Sequence, residues 1–316
     1  MRRVLIGLAI VGLALLAGCA KSELSYPELE AKYATPASRF ADLPGGVHVH
    51  YRDQGPPTAA RTLVLVHGFA ASLQAWEPWV ARLAPSYRVI SLDLPGHGLT
   101  AAPAGYRAST EGDVALIDAL TQRLGARRFV LAGNSMGGGI AWAYALKHPE
   151  RLEGLVLVDA AGWPHPQAKG GPPVFVFKLL GNPVGRAILA GIDPTPMARK
   201  GLQQAYVDPA LVTPDLIARY VDFTRAPGHR EILLNQNSGP RAPVTPDTFK
   251  AIRTPTLVMV GAVDAVIPPD DSRGLAGAIP GARLIVYPGV GHVPMEQIPD
   301  ESAADLKAFV DGLPTG

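Results

Sequence analysis

The sequence predicts an α/β fold with a mostly parallel central sheet, flanking helices and a helical cap insertion. Short apolar runs alternate with helix-like segments along most of the 316 residues, which is the pattern of a parallel sheet covered on both faces. Residues 165–250 interrupt this alternation because they contain no buried-strand run. A tight turn bounded by glycines, residues 133–138, joins a predicted strand to a predicted helix.

The predicted strands are short apolar or alternating segments that end near turn residues. The first alternates as an edge strand does, and the second is a continuous apolar run typical of a strand buried on both faces. The strands are predicted at residues 47–51, 61–66, 88–92, 128–132, 155–158, 256–260 and 283–287. Helix-like segments lie between most of them, so the order is β-α-β-α.

These elements divide the chain into four parts. Residues 45–164 and 251–316 form the predicted core, and residues 165–250 form a cap or lid, since they are too long for a connection in a compact sheet. Residues 20–44 are polar, contain three prolines and show no clear periodicity, so we expect a loosely ordered tether. Residues 1–19 carry two arginines near their start and continue with an apolar stretch, and they form a predicted signal peptide.

The composition is that of an ordinary globular protein that can bury a substantial core. Apolar residues make up 47% of the chain, and the formal net charge is only +2. Lysine and arginine are scattered rather than clustered, so the chain lacks the basic footprint of a nucleic-acid-binding protein. Metal-ligand spacing is absent at His48, His50, His165 and His229, and no phosphate-cradling loop is present. We therefore expect no nucleic-acid partner, no metal and no cofactor.

The N-terminal segment has the features of a secretory signal. Arg2 and Arg3 precede an unbroken apolar stretch, residues 4–16, which is shorter than the roughly 20 residues that span a bilayer. Leu16-Ala-Gly-Cys19 then resembles the lipobox of bacterial lipoproteins, in which the cysteine is lipidated and becomes the first mature residue. Cys19 is the only cysteine, so a disulfide framework is impossible.

The lipobox resemblance implies a membrane partner. Acyl chains on Cys19 would hold the protein on a membrane surface, because multiple chains anchor stably where one does not. Ala20 follows the cysteine, where such lipoproteins carry aspartate when they are retained at the inner membrane. We therefore expect a lipid-anchored protein of the bacterial cell envelope, at the outer membrane; an uncleaved membrane anchor is the alternative.

The glycine-bounded turn matches G-x-S-x-G and places Ser135 at its centre. A strand that enters a helix through so tight a bend holds the central residue in a strained conformation. The residues two before and two after it must then be nearly free of side chain, and Gly133 and Gly137 meet this need. The strain would expose the Ser135 hydroxyl and direct the Met136 N–H to the same point. Ser135 is the candidate nucleophile; a glycine-rich turn without catalytic role is the alternative.

A serine nucleophile needs a base, and the base needs an acid that orients it. Asp264 follows the predicted strand 256–260, and His292 follows the last predicted strand. Both lie at strand ends, where sites of open α/β sheets are built, and the order Ser135, Asp264, His292 suits a serine elbow. Asp159 also ends a predicted strand and is the competing acid.

A second oxyanion donor is expected in the loop after the first buried strand. His67-Gly-Phe69 occupies that loop, and the backbone N–H of Phe69 is our candidate donor. His67 is expected to shape the loop through hydrogen bonds rather than to act as the base.

Several motifs together resemble those of the α/β-hydrolase superfamily, in the same order. They are His67-Gly-Phe69, Asp93-Leu-Pro-Gly-His-Gly98, Gly133-Asn-Ser-Met-Gly-Gly138, Gly261-Ala-Val-Asp264 and Gly291-His-Val-Pro-Met295. The resemblance spans about residues 45–312 and implies an α/β-hydrolase fold. It implies Ser135 as nucleophile, Asp264 as acid and His292 as base, with Phe69 and Met136 as oxyanion donors. Haloalkane dehalogenases and epoxide hydrolases carry aspartate at the elbow, so Ser135 argues against both.

Within the superfamily, the chain resembles bacterial lipases and esterases of the Moraxella and Psychrobacter type, which also begin with a lipoprotein-like signal. The motifs that carry this resemblance are Gly133–Gly138, Val158-Asp-Ala-Ala-Gly-Trp163 and Gly291–Met295. It implies hydrolysis of a small ester or a lipid. Carbon-carbon bond hydrolases of ring-cleavage products share the elbow and are the alternative, although export and lipidation count against them. A binding protein that has lost activity is a third hypothesis.

Four apolar residues lie close together in the predicted cap. They are Phe175, Phe177, Leu179 and Leu180. They would form the apolar wall of an acyl pocket, or they would only pack the cap onto the sheet.

Overall fold

The structure is a computed structural model that describes residues 22–164, 184–185, 192–236 and 243–314. Its strands are β1 (Ser38–Leu43), β2 (Val47–Gln54), β3 (Thr62–Val66), β4 (Arg88–Leu92), β5 (Phe129–Asn134), β6 (Leu152–Val158), β7 (Thr256–Gly261) and β8 (Arg283–Tyr287). They form one sheet in the order β1-β2-β4-β3-β5-β6-β7-β8. Strand β2 pairs antiparallel with β1 and β4, and all other pairs are parallel. The predicted mostly parallel α/β sheet is confirmed.

Helices connect most of the strands. They are α1 (Tyr26–Tyr33), α2 (Glu77–Leu83), α3 (Thr110–Arg123), α4 (Met136–Lys147), α5 (Thr195–Ala205), α6 (Pro214–Phe223), α7 (His229–Asn235), α8 (Pro246–Phe249), α9 (Pro269–Ala278), α10 (Pro294–Gln297) and α11 (Pro299–Asp311). The described part of residues 165–250 contributes α5 to α8 between β6 and β7, as the predicted helical insertion requires.

The core lies on both faces of the sheet, because successive side chains of a strand point to opposite faces. Val64 and Val66 of β3 belong to the apolar cluster that contains residues of α3, α4 and α9. Leu63 and Leu65 belong to the cluster that contains residues of α2 and α11. All four are almost fully buried, so a continuous apolar run was the correct signal for this central strand.

Residues 20–44 differ from the loosely ordered tether that the sequence predicts. In the described part of this segment, α1 and β1 are regular elements, and β1 rather than β2 is the edge strand. Pro27 lies in the first turn of α1, where proline is favourable because the N–H that it lacks would have no partner. The prolines therefore do not prevent regular structure here.

Helix α1 is fastened to the cap. Leu29 is fully buried in a small cluster with Leu99 and Phe223. Lys32 Nζ and the Tyr33 hydroxyl both donate to Asp222 Oδ2, at 2.6 and 2.9 Å. The segment before the core thus packs against α6 instead of hanging free.

Some predictions concern residues outside the described part of the chain. These are the signal peptide, residues 1–19, with Cys19, and the four apolar cap residues Phe175, Phe177, Leu179 and Leu180. Among the residues that the structure does describe, none of the helices has both the length and the apolar character needed to cross a bilayer.

A buried carboxylate organises the loop after β4. Asp93 is 1% exposed, accepts the N–H groups of Leu73 and Leu99 at 2.7 and 2.9 Å, and pairs with His50 Nδ1 at 2.7 Å. Burial alone would raise its pKa, but these partners outweigh it and hold the pKa of Asp93 below its usual value. Gly98 packs so closely that an added Cβ would lie 1.9 Å from Asp93 Oδ2.

Helix α4 meets the sheet through glycine. A Cβ on Gly137 would lie 2.2 Å from the carbonyl oxygen of Val66, and a Cβ on Gly133 would lie 2.1 Å from that of Gly137. Both obstacles are backbone atoms of packed elements, so they cannot move aside cheaply. The two glycines of the turn are required by this close approach.

We expect Asp93→Asn to lower the free energy of unfolding by about 3 kcal/mol, because one amide oxygen cannot serve three buried donors. The matched control is Asp42→Asn. Asp42 also accepts from a histidine, His48 Nδ1 at 2.6 Å, but its side chain is 88% exposed, so no measurable change is expected. Urea unfolding at pH 7 measures both variants, and equal losses would contradict the role of burial.

The stability difference between wild type and Asp93→Asn should also depend on pH in the acid range. A lowered folded-state pKa contributes stability above the unfolded pKa and loses it as pH falls through the folded value. The stability difference between wild type and Asp93→Asn should therefore shrink below about pH 4. A difference that grows in acid would contradict the lowered pKa of Asp93.

We expect Gly137→Ala to destabilise the protein by about 3 kcal/mol or to prevent folding, because its Cβ would overlap the β3 backbone. Gly201→Ala in α5 is the control, since an added Cβ there meets nothing within 4 Å. That change should stabilise the protein by about 0.5–1 kcal/mol through helix propensity. Thermal unfolding compares the two, and a stable Gly137→Ala protein would rule out the close approach.

Candidate active site

Ser135 lies in the turn between β5 and α4 with φ 54° and ψ −118°. A positive φ is uncommon for a residue with a side chain and persists only when the surroundings impose it. Here the Ser135 N–H donates to the Val158 carbonyl at 3.0 Å, and its own carbonyl accepts from Gly139 and Ala161 at 3.1 and 2.9 Å. The side chain remains half-buried. The strained turn expected from G-x-S-x-G is present.

Asp264 and His292 form a hydrogen-bonded pair at the ends of β7 and β8. His292 Nδ1 donates to Asp264 Oδ2 at 2.7 Å, and both residues are buried, at 6% and 7% exposure. Asp264 Oδ1 accepts the N–H groups of Val266 and Ile267 at 2.7 and 3.1 Å. With its proton on Nδ1, a neutral His292 leaves Nε2 free to accept another proton. This is the arrangement that a general base requires.

Asn134 joins the serine turn to the histidine loop. Its side-chain Nδ2 donates to the His292 carbonyl at 3.0 Å and to the Val158 carbonyl at 3.2 Å. The residue just before Ser135 is therefore bonded directly to His292. This role was not predicted from the sequence, although an amide side chain at the end of the wholly buried strand β5 is a usable signal.

The loop after β3 lies against the serine turn. A Cβ on Gly68 would lie 3.1 Å from both Ser135 Cβ and Asn134 Oδ1. This contact brings the loop that contains Phe69, the predicted second oxyanion donor, next to Ser135. Met136, the other candidate donor, is the first residue of α4, where backbone N–H groups lack helical partners.

His67 holds this loop through two hydrogen bonds, as the sequence predicts. Nε2 accepts the Leu94 N–H at 3.1 Å, so Nδ1 carries the proton and donates to the Gly68 carbonyl at 2.8 Å. Burial lowers the pKa of His67, with only partial opposition from Asp93. The imidazole is therefore a neutral structural group, fully buried beneath the site.

Two cap helices contact the histidine loop. The His292 N–H donates to the carbonyl of Ala205, the last residue of α5, at 2.8 Å. Arg219 of α6 lies 3.7 Å from Glu296, four residues after His292. Burial raises the pKa of Glu296 to about 7 although Arg219 opposes the shift. The described part of the cap thus supports the backbone of the candidate base.

Asp159, the competing acid, lies beside the pair without bonding to the histidine. Three His, Cys, Asp or Glu side chains could hold a metal ion together if their ligand atoms lie close to one another. Among the described residues, only one such set has its ligand atoms, a carboxylate oxygen or a ring nitrogen, all within 4.8 Å of one another: Asp159, Asp264 and His292. Asp159 Oδ1 accepts the Gly261 N–H at 3.0 Å. The hydrogen bond of 2.7 Å between His292 Nδ1 and Asp264 Oδ2 accounts for the closeness of two of these three side chains. Asp264 is the acid that contacts His292.

Comparison with known proteins identifies the family of this chain. Residues 63–305 match the model of the Alpha/beta hydrolase family. The chain is 32% identical over 267 residues to a 2-hydroxy-6-oxo-2,4-heptadienoate hydrolase of Pseudomonas putida, covering 81% of this chain and 90% of the relative. It is 30% identical over 306 residues to Lipase 3 of a Moraxella species, covering 92% and 88%.

A solved structure extends the similarity over nearly the whole chain. It is described as a membrane phospholipase A, a novel bacterial virulence factor, and is 27% identical, with a TM-score of 0.73 and coverage of 99% of both chains. The predicted similarity to lipases of the Moraxella type is confirmed. With a family match that spans most of its length and a sheet of the expected order, this chain belongs to the alpha/beta hydrolase family and is a hydrolase.

Proposed function

We propose that this hydrolase cleaves carboxylic esters through an acyl-enzyme intermediate on Ser135. The observation that carries the proposal is the strained turn at Ser135, which Asn134 joins by a hydrogen bond to His292, the histidine that Asp264 orients at 2.7 Å. Nucleophile, base and acid come from three separate loops at one edge of the sheet, and each supplies the group that the reaction needs.

In the proposed reaction, Ser135 Oγ attacks the ester carbonyl while His292 Nε2 takes its proton. The N–H groups of Met136 and Phe69 donate to the oxyanion of the tetrahedral intermediate. His292 then gives the proton to the leaving alkoxide, and an acyl-enzyme remains. A water molecule, deprotonated by His292, attacks the acyl carbon. The bond between that carbon and Ser135 Oγ then breaks, His292 returns the proton to Oγ, and the carboxylic acid leaves. Asp264 keeps the imidazole in the required tautomer throughout.

The extent of similarity favours esters over carbon-carbon bonds. The Moraxella lipase and the phospholipase A structure cover 92% and 99% of this chain, whereas the heptadienoate hydrolase covers 81%. Hydrolysis of carbon-carbon bonds in ring-cleavage products is nevertheless the second candidate. The chain is 32% identical to the heptadienoate hydrolase, which is similar to its 30% identity to the Moraxella lipase.

The proposal places the enzyme on a membrane of the bacterial cell envelope through acylated Cys19, with the outer membrane preferred. Ser22, the first described residue, lies at the cap, because Arg225 Nε donates to the Ser22 carbonyl at 2.7 Å. Cys19 and Ser22 are three positions apart, so the chain between them reaches at most about 11 Å. An anchor at Cys19 would therefore keep the cap near the lipid surface.

The first test is hydrolysis of p-nitrophenyl esters, from acetate to palmitate, by protein that lacks residues 1–19. We expect Ser135→Ala to lower kcat by about 10⁴-fold or more, because no other group replaces the nucleophile. Ser109→Ala is the control. Ser109 caps α3 by accepting the Gly112 N–H at 3.1 Å, so its loss should cost about 1 kcal/mol of stability and leave kcat unchanged.

The same series separates the candidate functions. An optimum at short acyl chains identifies an esterase, and an optimum at long chains identifies a lipase. Turnover of ring-cleavage dienoates with no ester hydrolysis would replace the ester proposal by the second candidate. Ligand binding with neither turnover nor labelling of Ser135 by a fluorophosphonate would indicate a binding protein, and full ester activity in Ser135→Ala would exclude Ser135 as nucleophile.

A further inference from the structure

A second carboxyl group lies beside the candidate acid, and no step of the proposed reaction uses it. Asp159 is fully buried at the end of β6, with φ 44°. One of its carboxyl oxygens lies within 4.8 Å of a carboxyl oxygen of Asp264 and of a ring nitrogen of His292. Aspartate tolerates a positive φ better than most residues, but this backbone still requires support from its surroundings. A buried acid next to another acid requires a physical explanation.

The hydrogen bonds around Asp159 fix its side chain and leave one oxygen without a donor. The Asp159 N–H donates to the Met259 carbonyl at 2.9 Å, and Oδ1 accepts the Gly261 N–H at 3.0 Å. Oδ2 is buried and has no hydrogen-bond donor among the described residues. A carboxylate can only accept, so an ionised Asp159 would leave this oxygen unsatisfied. A proton on Oδ2 makes it a donor, and the Asp264 carboxylate is the acceptor beside it.

The electrostatics assign the charge to one member of the pair. Burial and the neighbouring charge of Asp264 raise the pKa of Asp159 well above its usual value, while the Gly261 N–H opposes this only in part. Asp264 has more support for a negative charge, since two backbone N–H groups and His292 donate to it. Two carboxyl groups this close share one proton, and it belongs on the less supported group.

His292, the third member of this cluster, donates its Nδ1 proton to Asp264. A further titratable group that interacts electrostatically with Asp159 is Tyr287 at the end of β8, whose hydroxyl donates to Asp305 at 2.9 Å. The Tyr287 hydroxyl is therefore already hydrogen-bonded to another carboxylate and donates no hydrogen bond to Asp159. Within the part of the chain that the structure describes, the partner left for Asp159 Oδ2 is Asp264.

We propose that Asp159 is a positioning residue that carries a proton on Oδ2 and donates it in a hydrogen bond to the Asp264 carboxylate. The inference rests on the proposed serine-hydrolase function and extends its hydrogen-bonded chain to Asp159, Asp264, His292 and Ser135. The donated bond holds the Asp264 carboxyl plane toward His292 Nδ1. It also disperses the charge of Asp264, so that the Nδ1 proton stays on the imidazole. No proton is lost from Asp159 during the cycle.

Two substitutions at one position separate this role from simple space filling. Asp159→Asn keeps an oxygen for the Gly261 N–H and offers an N–H to Asp264, and asparagine also tolerates the positive φ. Its kcat and KM should remain within about twofold of wild type. Asp159→Gly accepts the same backbone conformation but removes the donor. Its kcat should fall about tenfold with KM unchanged, because Asp264 then orients His292 less well.

The titration of His292, followed by NMR and by the acid limb of kcat/KM, is the readout that a structural role would not move. Replacing a neutral carboxyl by a neutral amide should leave the midpoint unchanged in Asp159→Asn. The midpoint should rise in Asp159→Gly, because an Asp264 without its donor stabilises the imidazolium more strongly. Asp113→Asn is the matched control, since burial raises the pKa of Asp113 to about 7 in α3, and no shift of the His292 midpoint is expected.

Opposite outcomes overturn the inference. A lower midpoint in Asp159→Asn would mean that wild-type Asp159 is ionised, because a negative charge near His292 would have been removed. A tenfold loss of kcat in Asp159→Asn, equal to that of Asp159→Gly, would mean that a neutral hydrogen-bond donor at this position does not maintain kcat. The NMR titration also works in the Ser135→Ala background, so a failure of the ester proposal is distinguishable from a failure here.

Discussion

The close approach of helix α4 to strand β3 is the constraint on which the site depends. Gly137 packs against the Val66 carbonyl with no room for a Cβ, and this contact bends the chain sharply at Ser135. The strained φ of 54° survives because the backbone of the turn is bonded to Val158 and Ala161. Backbone packing, rather than side-chain contacts, sets where the candidate nucleophile stands.

Around this turn, the loops of neighbouring strands are joined to one another. Asn134 links the turn to the carbonyl of His292, and Gly68 brings the loop after β3 against Ser135. The cap adds a further link, since the Ala205 carbonyl accepts the His292 N–H. A site built from separate loops needs such cross-links, because small displacements of a catalytic group cost rate.

Two buried aspartates show how surroundings decide ionisation. Asp93 has His50 and two backbone N–H groups as partners, and its pKa lies below the usual value although burial opposes this. Asp159 has one backbone N–H as a partner and a carboxylate as a neighbour, and its pKa lies well above the usual value for aspartate. The two are equally buried. The number and sign of their partners, not their depth, separates a charged structural anchor from a neutral donor.

The sequence by itself determined the features that depend on local chemistry: the apolar runs of the central strands, the glycines around Ser135, and the positions of Asp264 and His292 at strand ends. Tertiary structure decided the rest. Strand β1 exists through its pairing with β2, and α1 through contacts with Asp222, 190 residues beyond Lys32. The proximity of Asp159 and Asp264 likewise comes from the pairing of β6 with β7. Such contacts join residues far apart in the chain, and no local pattern encodes them.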